Sequence, residues 1–321
     1  MMLASFVHTM DPVAIAIGPL AVRWYGLAYM AGFLIGWAIL RWLARSGRTK
    51  LSADQVGDLL TWLVVGVIVG GRVGHVLLYE PALLLQLGGS FPWWGLLEIH
   101  KGGMSSHGGM VGVLVAAMLF ARRSRVSVLH VFDLAAFAAP PGLMLGRLAN
   151  WVNGELPGLP LPASMQAAPP WWSVKYPDEV FSPTFDISRL DSLSTLVDTS
   201  MVPLPNAVFN ACMAGRTEVI TRLEPMLTAR WPLNFAQAAT DGPLLMVILV
   251  AAWWKPRSAG VVTAWFLIGY GLFRLLSERI REPDPSALNM GRFTTPMLMS
   301  SLMAALGAWL LWFILRRSAR R

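Results

Sequence analysis

Long apolar stretches recur along the whole chain, and they restrict its fold more than any other feature of the sequence. A helix needs about 20 consecutive, mainly apolar residues to cross the hydrocarbon core of a membrane. Stretches near that length, some of them interrupted by polar residues, run over residues 21–40, 56–78, 106–120, 129–148, 235–254, 261–277 and 296–315. With 55% hydrophobic and only 14% charged residues, the chain is also too apolar for an ordinary soluble domain. The sequence therefore predicts an all-α, polytopic membrane protein with about seven transmembrane helices.

Basic residues follow every second predicted span. They are Arg41, Arg45, Arg48, Lys50, Arg122, Arg123, Arg125, Lys255, Arg257, Arg316, Arg317, Arg320 and Arg321. Loops rich in lysine and arginine stay on the cytoplasmic side, so we expect the amino terminus outside and the carboxyl terminus inside. The net charge of +8 does not indicate a nucleic-acid partner, because the basic residues lie between the spans and are not massed on one face.

A long polar segment separates the fourth and fifth predicted spans. Residues 151–230 are rich in proline and in acidic groups, and the loop-charge rule places them outside. We therefore expect one integral membrane domain in three segments: helices 1–4 over residues 1–150, an extended external head over 151–230, and helices 5–7 over 231–321. Within the head, residues 206–229 are compatible with a short amphipathic helix.

Polar and charged residues lie inside the apolar stretches, where an ionised group costs several kcal/mol and commonly marks a functional site. They are Arg72, His107, Asp133, Arg147, Asn150, Asn153, Asp241, Arg274 and Glu278. Tyr270, Arg274 and Glu278 follow an i, i+4, i+8 spacing, which predicts one stripe along a helix face. Arg147 and Asn150 also share a face.

Each of these residues has a structural interpretation as well. Arg72 is equally compatible with an anchor at a span end or a packing ion pair. Asp133 is expected to pair with a nearby arginine, and Arg274 and Glu278 are able simply to neutralise each other. The glycine-rich stretches around Arg72 and His107 favour close helix packing over a phosphate cradle. Bystander, packing or surface positions are expected for Cys212, His8, His75, His100 and His130.

Taken together, the embedded residues indicate an anion site. Arginine pairs bind a phosphodiester and stabilise the charge that develops on a phosphate leaving group. A histidine with a pKa near neutrality accepts a proton from a thiol or another nucleophile. The apolar spans contain no carboxylate cluster suited to a metal ion. These residue types therefore favour an enzyme that acts on a phospholipid headgroup near the external leaflet.

Several motifs resemble one family, that of prolipoprotein diacylglyceryl transferase, over nearly all of the chain except the head. The motifs are DPVAIAIGPLAVRWYGLAYMAGF (residues 11–33), GGRVGHVLLY (70–79), GGMSSHGGMVGV (102–113), GLMLGRLANWVNGELPG (142–158), KPRSAGVVTAWFLIGYGLFRLLSERIREPD (255–284) and MGRFTTPM (290–297). The resemblance implies seven helices in the bacterial inner membrane with a periplasmic amino terminus and head. It also implies transfer of diacylglycerol from phosphatidylglycerol to the lipobox cysteine of a prolipoprotein signal peptide, with glycerol 1-phosphate released. No metal or nucleotide cofactor is implied.

The resemblance implies that His107, Arg147, Arg274 and Tyr25 are the catalytic residues. Our hypothesis for their roles is that Arg147 and Arg274 bind the phosphate and that His107 assists thiol deprotonation. Glu278 orients Arg274, while Tyr25 and Asn150 position the headgroup. The remaining phosphatidylglycerol-binding positions are Glu155, Gly158 and Tyr270.

Three features depart from the family pattern. The stretch His-Pro-Ser-Gln-Leu-Tyr-Glu is WPLNFAQ here (residues 231–237), so that only Pro232 is kept and Asn234 and Gln237 are milder changes. Arg292 replaces a glutamine, and the head is long. A catalytically silent paralogue that binds phospholipid or prolipoprotein stays open as an alternative, as does an anion transporter that uses the same arginines.

Overall fold

A computed structural model describes residues 5–18, 20–89, 91–99, 102–255, 257–282, 289–290 and 293–319 of the 321-residue chain. The predictions that concern His100, Arg292, Arg320 and Arg321 lie outside these described residues.

The described chain is mainly helical. Its α-helices are α1 (Trp24–Arg45), α2 (Ala53–Leu78), α3 (Ser106–Arg123), α4 (Val128–Val152), α5 (Ala163–Gln166), α6 (Leu204–Met213), α7 (Thr217–Leu223), α8 (Leu233–Ala239), α9 (Leu245–Trp253), α10 (Val261–Ser277) and α11 (Thr295–Ala319). Helices α8 and α9 are joined by a π-helical turn, Thr240–Leu244, into one rod.

Within the described residues, 6 helices are long and apolar enough to cross a membrane: α1, α2, α4, the α8–α9 rod, α10 and α11. Leu34, Val69 and Leu302 on three of them are more than half exposed, as side chains that face lipid would be. The predicted third span is also a helix, α3, but glycines, a histidine and two arginines keep it outside that set. The prediction of a polytopic helical membrane protein is confirmed.

Three short two-stranded sheets accompany the helices. Strand β1 (Phe6–Val7) pairs in parallel with β4 (Val174–Lys175), whereas β2 (Val13–Ile17) with β3 (Leu20–Arg23) and β5 (Asn289–Met290) with β6 (Phe293–Thr294) pair antiparallel. The purely α-helical prediction omitted these strands. The first predicted span, which began at residue 21, was wrong at its start because residues 21–23 belong to β3 and the helix begins at Trp24.

Two compact units make up the chain. The first comprises residues 1–32, 140–247 and 267–306, and the second comprises residues 33–139, 248–266 and 307–321.

In the second unit, α2 and α3 pack through glycines. A Cβ atom added at Gly70 would lie 2.4 Å from the carbonyl oxygen of Gly108, and one at Gly74 would lie 2.6 Å from the Cα of Gly108. Only glycine permits so close an approach of the two backbones. The helix-packing interpretation of these glycines is therefore confirmed.

Arg72 of α2 is 5% exposed and has no carboxylate partner among the described residues. Its guanidinium instead donates to four backbone carbonyl oxygens, those of Gly95, Leu96, Gly102 and Gly103, at 2.6, 2.8, 2.8 and 3.2 Å. Arg72 is therefore neither a snorkelling anchor nor part of an ion pair, because it holds the loop between α2 and α3 by backbone hydrogen bonds.

Asp133 of α4 has a different partner from the one expected. Its carboxylate accepts hydrogen bonds from the backbone N–H groups of Gly260 and Thr263, each at 2.7 Å, and from the Thr263 hydroxyl. These N–H groups stand at the start of α10, where no intrahelical acceptor is present. The expected arginine partner was wrong, because Asp133 caps a neighbouring helix.

The polar segment after α4 has its own hydrophobic core in the first unit. Its short helices α6 and α7 are separated by Gly215, whose φ of 75° suits a residue without a side chain. They pack with the 3₁₀ segment Ile187–Leu196 around Cys212, and burial raises the pKa of this thiol to about 11. Such a thiol stays protonated at neutral pH, which agrees with its predicted role as a bystander.

Candidate active site

Arg147 stands on α4 and is largely buried in the first unit. Its Nε donates to Asp241 Oδ2 at 3.0 Å, and its Nη2 donates to the Tyr270 hydroxyl at 3.3 Å. The side chains of Arg147 and Asp241 are only 15% and 2% exposed. A guanidinium so buried needs these partners, because an unpaired charge at this depth would cost several kcal/mol.

Asp241 is positioned by the π-helical turn Thr240–Leu244. The turn contains Pro243, which has no N–H to donate and cannot continue regular α-helical hydrogen bonding. Its neighbour Gly242 packs so closely on Met144 that an added Cβ atom would lie 2.6 Å from the Met144 Cβ. The local break in the helix thus brings the Asp241 carboxylate against Arg147.

Of the predicted stripe, Tyr270 and Arg274 lie on α10, and Glu278 begins the 3₁₀ turn Glu278–Ile280 directly after it. Arg274 Nη2 lies 3.3 Å from Glu278 Oε2, and Arg281 Nη1 lies 3.8 Å from the same oxygen. These are ion-pair distances without hydrogen-bond geometry, and Arg274 Nη1 has no hydrogen-bond partner among the described residues. Arg274 and Glu278 therefore form the expected ion pair, and the arginine also keeps an unused donor.

Tyr25, at the start of α1, joins the end of α4. Its hydroxyl contacts Asn150 Oδ1 and donates to Glu155 Oε2 at 2.8 Å. The Asn153 amide donates to Glu155 Oε1 at 3.3 Å. The sequence had predicted Tyr25, Asn150 and Glu155 as members of one site, and the first unit places them in direct contact.

Gly158 is held by backbone packing. It forms an isolated β-bridge with Arg281, and a Cβ atom added to it would lie 2.3 Å from the carbonyl oxygen of Trp231. A larger residue would displace the segment that carries Arg281 or the start of α8.

The charges of this cluster interact. Arg147 and Arg274 are close enough for their charges to repel each other, and the charge of Arg274 also acts on Asp241. The guanidinium groups of Arg147, Arg274 and Arg281 lie at ion-pair distance from the carboxylates of Asp241 and Glu278, and Arg274 Nη1 keeps an unused donor. An unused guanidinium donor in a buried cluster suits an acceptor oxygen of an anion, such as a phosphodiester.

All the predicted site residues except His107 belong to the first unit. His107 belongs to the second unit, where it is exposed in the first turn of α3.

Some members of the cluster were missing from the predicted site. Asp241 had been recognised as an embedded carboxylate but not as the partner of Arg147, and Arg281 had not been singled out. Asn234 and Gln237 had been noted only as departures from a family pattern. The signal for Asp241 was present, because a carboxylate embedded in an apolar span needs a cation or several hydrogen-bond donors.

Comparisons with known proteins point to one family. The family model for prolipoprotein diacylglyceryl transferase matches residues 12–313. A phosphatidylglycerol–prolipoprotein diacylglyceryl transferase of Azospirillum brasilense is 36% identical, with 99% of each chain covered. Proteins of the same name from Bdellovibrio bacteriovorus and Cereibacter sphaeroides are 35% and 36% identical, with coverage of 87% and 94% of this chain and of 85% and 91% of theirs.

The apolar helices and these relatives together indicate a multi-pass protein of the bacterial inner membrane. The family match spans nearly the whole chain, and the relatives are similar along most of their own length. The chain therefore belongs to the prolipoprotein diacylglyceryl transferase family.

Proposed function

We propose that this chain is a phosphatidylglycerol–prolipoprotein diacylglyceryl transferase. It moves the sn-1,2-diacylglyceryl group of phosphatidylglycerol to the lipobox cysteine of a prolipoprotein signal peptide. A thioether forms and glycerol 1-phosphate leaves, which is the first step of lipoprotein maturation.

One observation carries the chemistry of this proposal. Arg147 and Arg274 lie in one buried cluster in which Arg274 Nη1 has no hydrogen-bond partner among the described residues. A lipid phosphodiester has acceptor oxygens that would bind this donor.

The reaction breaks a C–O bond and forms a C–S bond. The thiolate attacks the glyceryl carbon that carries the phosphate ester, and the bonding electron pair leaves with the phosphate oxygen. Negative charge therefore grows on the phosphate in the transition state, where Arg147 and Arg274 stabilise it. Glu278 orients Arg274 through their ion pair.

The cysteine thiol must lose its proton before it attacks, because the thiolate is the nucleophile. We propose that His107 accepts this proton. Its side chain is exposed and has no hydrogen bond to another described residue. An imidazole side chain is able to accept such a proton in general base catalysis.

The other predicted residues position the headgroup. Tyr25 and Asn150 are in contact, and Glu155 fixes the Tyr25 hydroxyl. Tyr270 orients Arg147 by accepting its hydrogen bond. Gly158 allows the close backbone packing that this arrangement needs.

The membrane arrangement is part of the same proposal. Helix α3, with 18 residues, serves as a further span and brings the total to seven. The basic loops place the amino terminus in the periplasm and the carboxyl terminus in the cytoplasm. Residues 151–230 then form a periplasmic head between helices 1–4 (residues 1–150) and helices 5–7 (residues 231–321).

The test uses the purified full chain in phosphatidylglycerol vesicles with a synthetic lipobox peptide. Mass spectrometry is expected to detect one diacylglyceryl group on the peptide cysteine. Arg147→Ala should lower the rate by at least about 100-fold, since it removes a donor aimed at developing charge. The control Arg222→Ala changes an exposed arginine of the head and should leave the rate unchanged.

Other outcomes would contradict the proposal. Lipid and peptide binding without a covalent product would indicate a silent paralogue. Passage of phosphate esters across the vesicle membrane without product would indicate a transporter. Full activity of Arg147→Ala would refute the assigned phosphate contact.

A further inference from the structure

Two buried amide side chains on α8 have an oxygen without a hydrogen-bond partner among the described residues. Asn234 and Gln237 are each 1% exposed. The Asn234 Nδ2 donates to the carbonyl oxygen of Glu155 at 2.9 Å, and the Gln237 Nε2 donates to the Ser277 hydroxyl at 3.1 Å. Their oxygens, Oδ1 and Oε1, have no hydrogen-bond partner among the described residues.

The surrounding hydrogen bonds determine which end of each amide is the donor. The partner of Asn234 is a carbonyl oxygen, which only accepts, so the nitrogen of Asn234 must face it. The Ser277 hydroxyl donates its hydrogen to the carbonyl oxygen of Arg274 at 3.1 Å, and it therefore accepts from Gln237. The amide oxygens are consequently the two acceptors left over.

Both amides belong to the anion cluster. Asn234 is bonded to Glu155, whose carboxylate holds Tyr25. Gln237 is bonded to Ser277, which lies between Arg274 and Glu278 in the chain. Asn234 and Gln237 are three residues apart on one helix face, so their side chains follow each other along it.

A buried acceptor without a partner destabilises the fold, and its presence calls for an explanation such as a bound ligand. Here the ligand must bring hydrogen-bond donors next to a phosphate, because Arg274 Nη1 is also unused. The headgroup of phosphatidylglycerol has this chemistry: a phosphate followed by a three-carbon chain with two hydroxyl groups.

We propose that Asn234 and Gln237 accept hydrogen bonds from the two headgroup hydroxyls and thereby select phosphatidylglycerol among anionic phospholipids. This inference rests on the proposed function, because it assumes that the headgroup phosphate lies at the arginine cluster. It adds two specificity residues to a site otherwise built for the phosphate.

The test compares two lipids that differ only in these hydroxyls. Phosphatidylpropanol has the same phosphate and a propyl chain of the same length, but no hydroxyl donors. With equal acyl chains, the wild-type protein should have a kcat/KM about 100-fold higher for phosphatidylglycerol, since the analogue leaves two buried acceptors unpaired.

Two variants and one control locate the source of this preference. Asn234→Leu and Gln237→Met should each lower the phosphatidylglycerol to phosphatidylpropanol ratio about tenfold, mainly by slowing the reaction of phosphatidylglycerol. The control Gln166→Met changes a glutamine of α5 whose amide nitrogen and oxygen both have backbone partners. It should leave the ratio unchanged.

The outcomes separate this inference from the proposed function. Equal slowing of both lipids by the α8 variants, or equal wild-type rates for both, would show that the amides are structural and would refute the inference. If neither phosphatidylglycerol nor phosphatidylpropanol gave a product, the proposed function would be refuted. Thermal stabilisation of each protein by the two lipids, measured in parallel, tests the headgroup preference even then, because equal stabilisation would overturn it.

Discussion

Arg72 in the second unit and Arg274 in the first are both buried arginines in apolar helices, but they use their guanidinium groups differently. Arg72 has its Nε, Nη1 and Nη2 atoms bonded to backbone carbonyl oxygens of one loop. Arg274 has one carboxylate at ion-pair distance and an Nη1 atom without a hydrogen-bond partner among the described residues. A charged residue in an apolar span is therefore no sufficient sign of a functional site.

The difference lies in the hydrogen-bonding capacity that the fold leaves over. The N–H donors of Arg72 form hydrogen bonds with backbone carbonyl oxygens, so this residue orders the chain between α2 and α3. Arg274 forms an ion pair with Glu278, and its unpaired Nη1 donor is able to bind an anion. Asp133 resembles Arg72 in this respect, because backbone N–H groups and one hydroxyl occupy its carboxylate.

The largest expected effect comes from Arg274→Met, which removes the charge and keeps much of the apolar stem. Transfer to the lipobox peptide should fall about 100-fold to 1,000-fold, because a donor to the phosphate leaving group is lost. The unfolding temperature in detergent should change little, since Glu278 keeps Arg281 as a partner at 3.8 Å. Peptide mass spectrometry and thermal unfolding measure the two quantities, and an unfolding temperature that falls as far as the activity would contradict the comparison.

The same substitution at Arg72 should lower stability strongly and activity only slightly. Arg72→Met leaves four carbonyl oxygens of the loop without their donor, and we expect the free energy of unfolding to fall by about 2–3 kcal/mol. Denaturant titration in micelles measures this loss. Activity per folded molecule should fall much less than in Arg274→Met. A variant of Arg72 that is stable but inactive would place this arginine among the functional residues instead.

The helices were largely predictable because hydropathy is a local property. The predicted stretch 261–277 coincides with α10, Val261–Ser277. The start of the first span was wrong because Ala21, Val22 and Arg23 suit a strand as well as a helix, and the turn at Gly18, with φ of 56°, pairs them with β2.

The site was predictable in part, for a related reason. Helical periodicity alone places Tyr270, Arg274 and Glu278 on one face. Tyr270 and Arg274 lie on α10, and Glu278 begins the 3₁₀ turn Glu278–Ile280 that follows it, at ion-pair distance from Arg274. The pairing of Arg147 with Asp241 joins residues 94 positions apart, and no local spacing encodes it. The partners of Asp133 were equally hidden, because a sequence does not state which backbone groups lack an acceptor.

The smallest expected effect concerns the ion pair of Lys175 and Glu224, which lies outside the membrane spans. Lys175 Nζ lies 2.6 Å from Glu224 Oε1, and the Ser5 hydroxyl donates to the same oxygen at 2.8 Å. Burial alone would raise the pKa of Glu224, but the hydrogen bonds from Lys175 and Ser5 outweigh it and hold the pKa below its ordinary value of 4.5. A carboxyl whose pKa is lowered by folding stabilises the fold above its unfolded pKa and loses that contribution as the pH falls through its folded pKa.

Glu224→Gln removes this titration while keeping the size of the side chain. At neutral pH the variant should be less stable than the wild type by about 1 kcal/mol or less, because the pair is only partly shielded from water. The difference should shrink as the pH falls from about 5 to about 3, where the wild-type carboxyl becomes neutral as well. Thermal unfolding of both proteins over this range measures it, with Glu218→Gln as the control for an exposed i, i+4 pair. A difference that stays constant with pH would mean that the Glu224 side chain stabilises the fold by packing. The charge of its pair with Lys175 would then contribute little to stability.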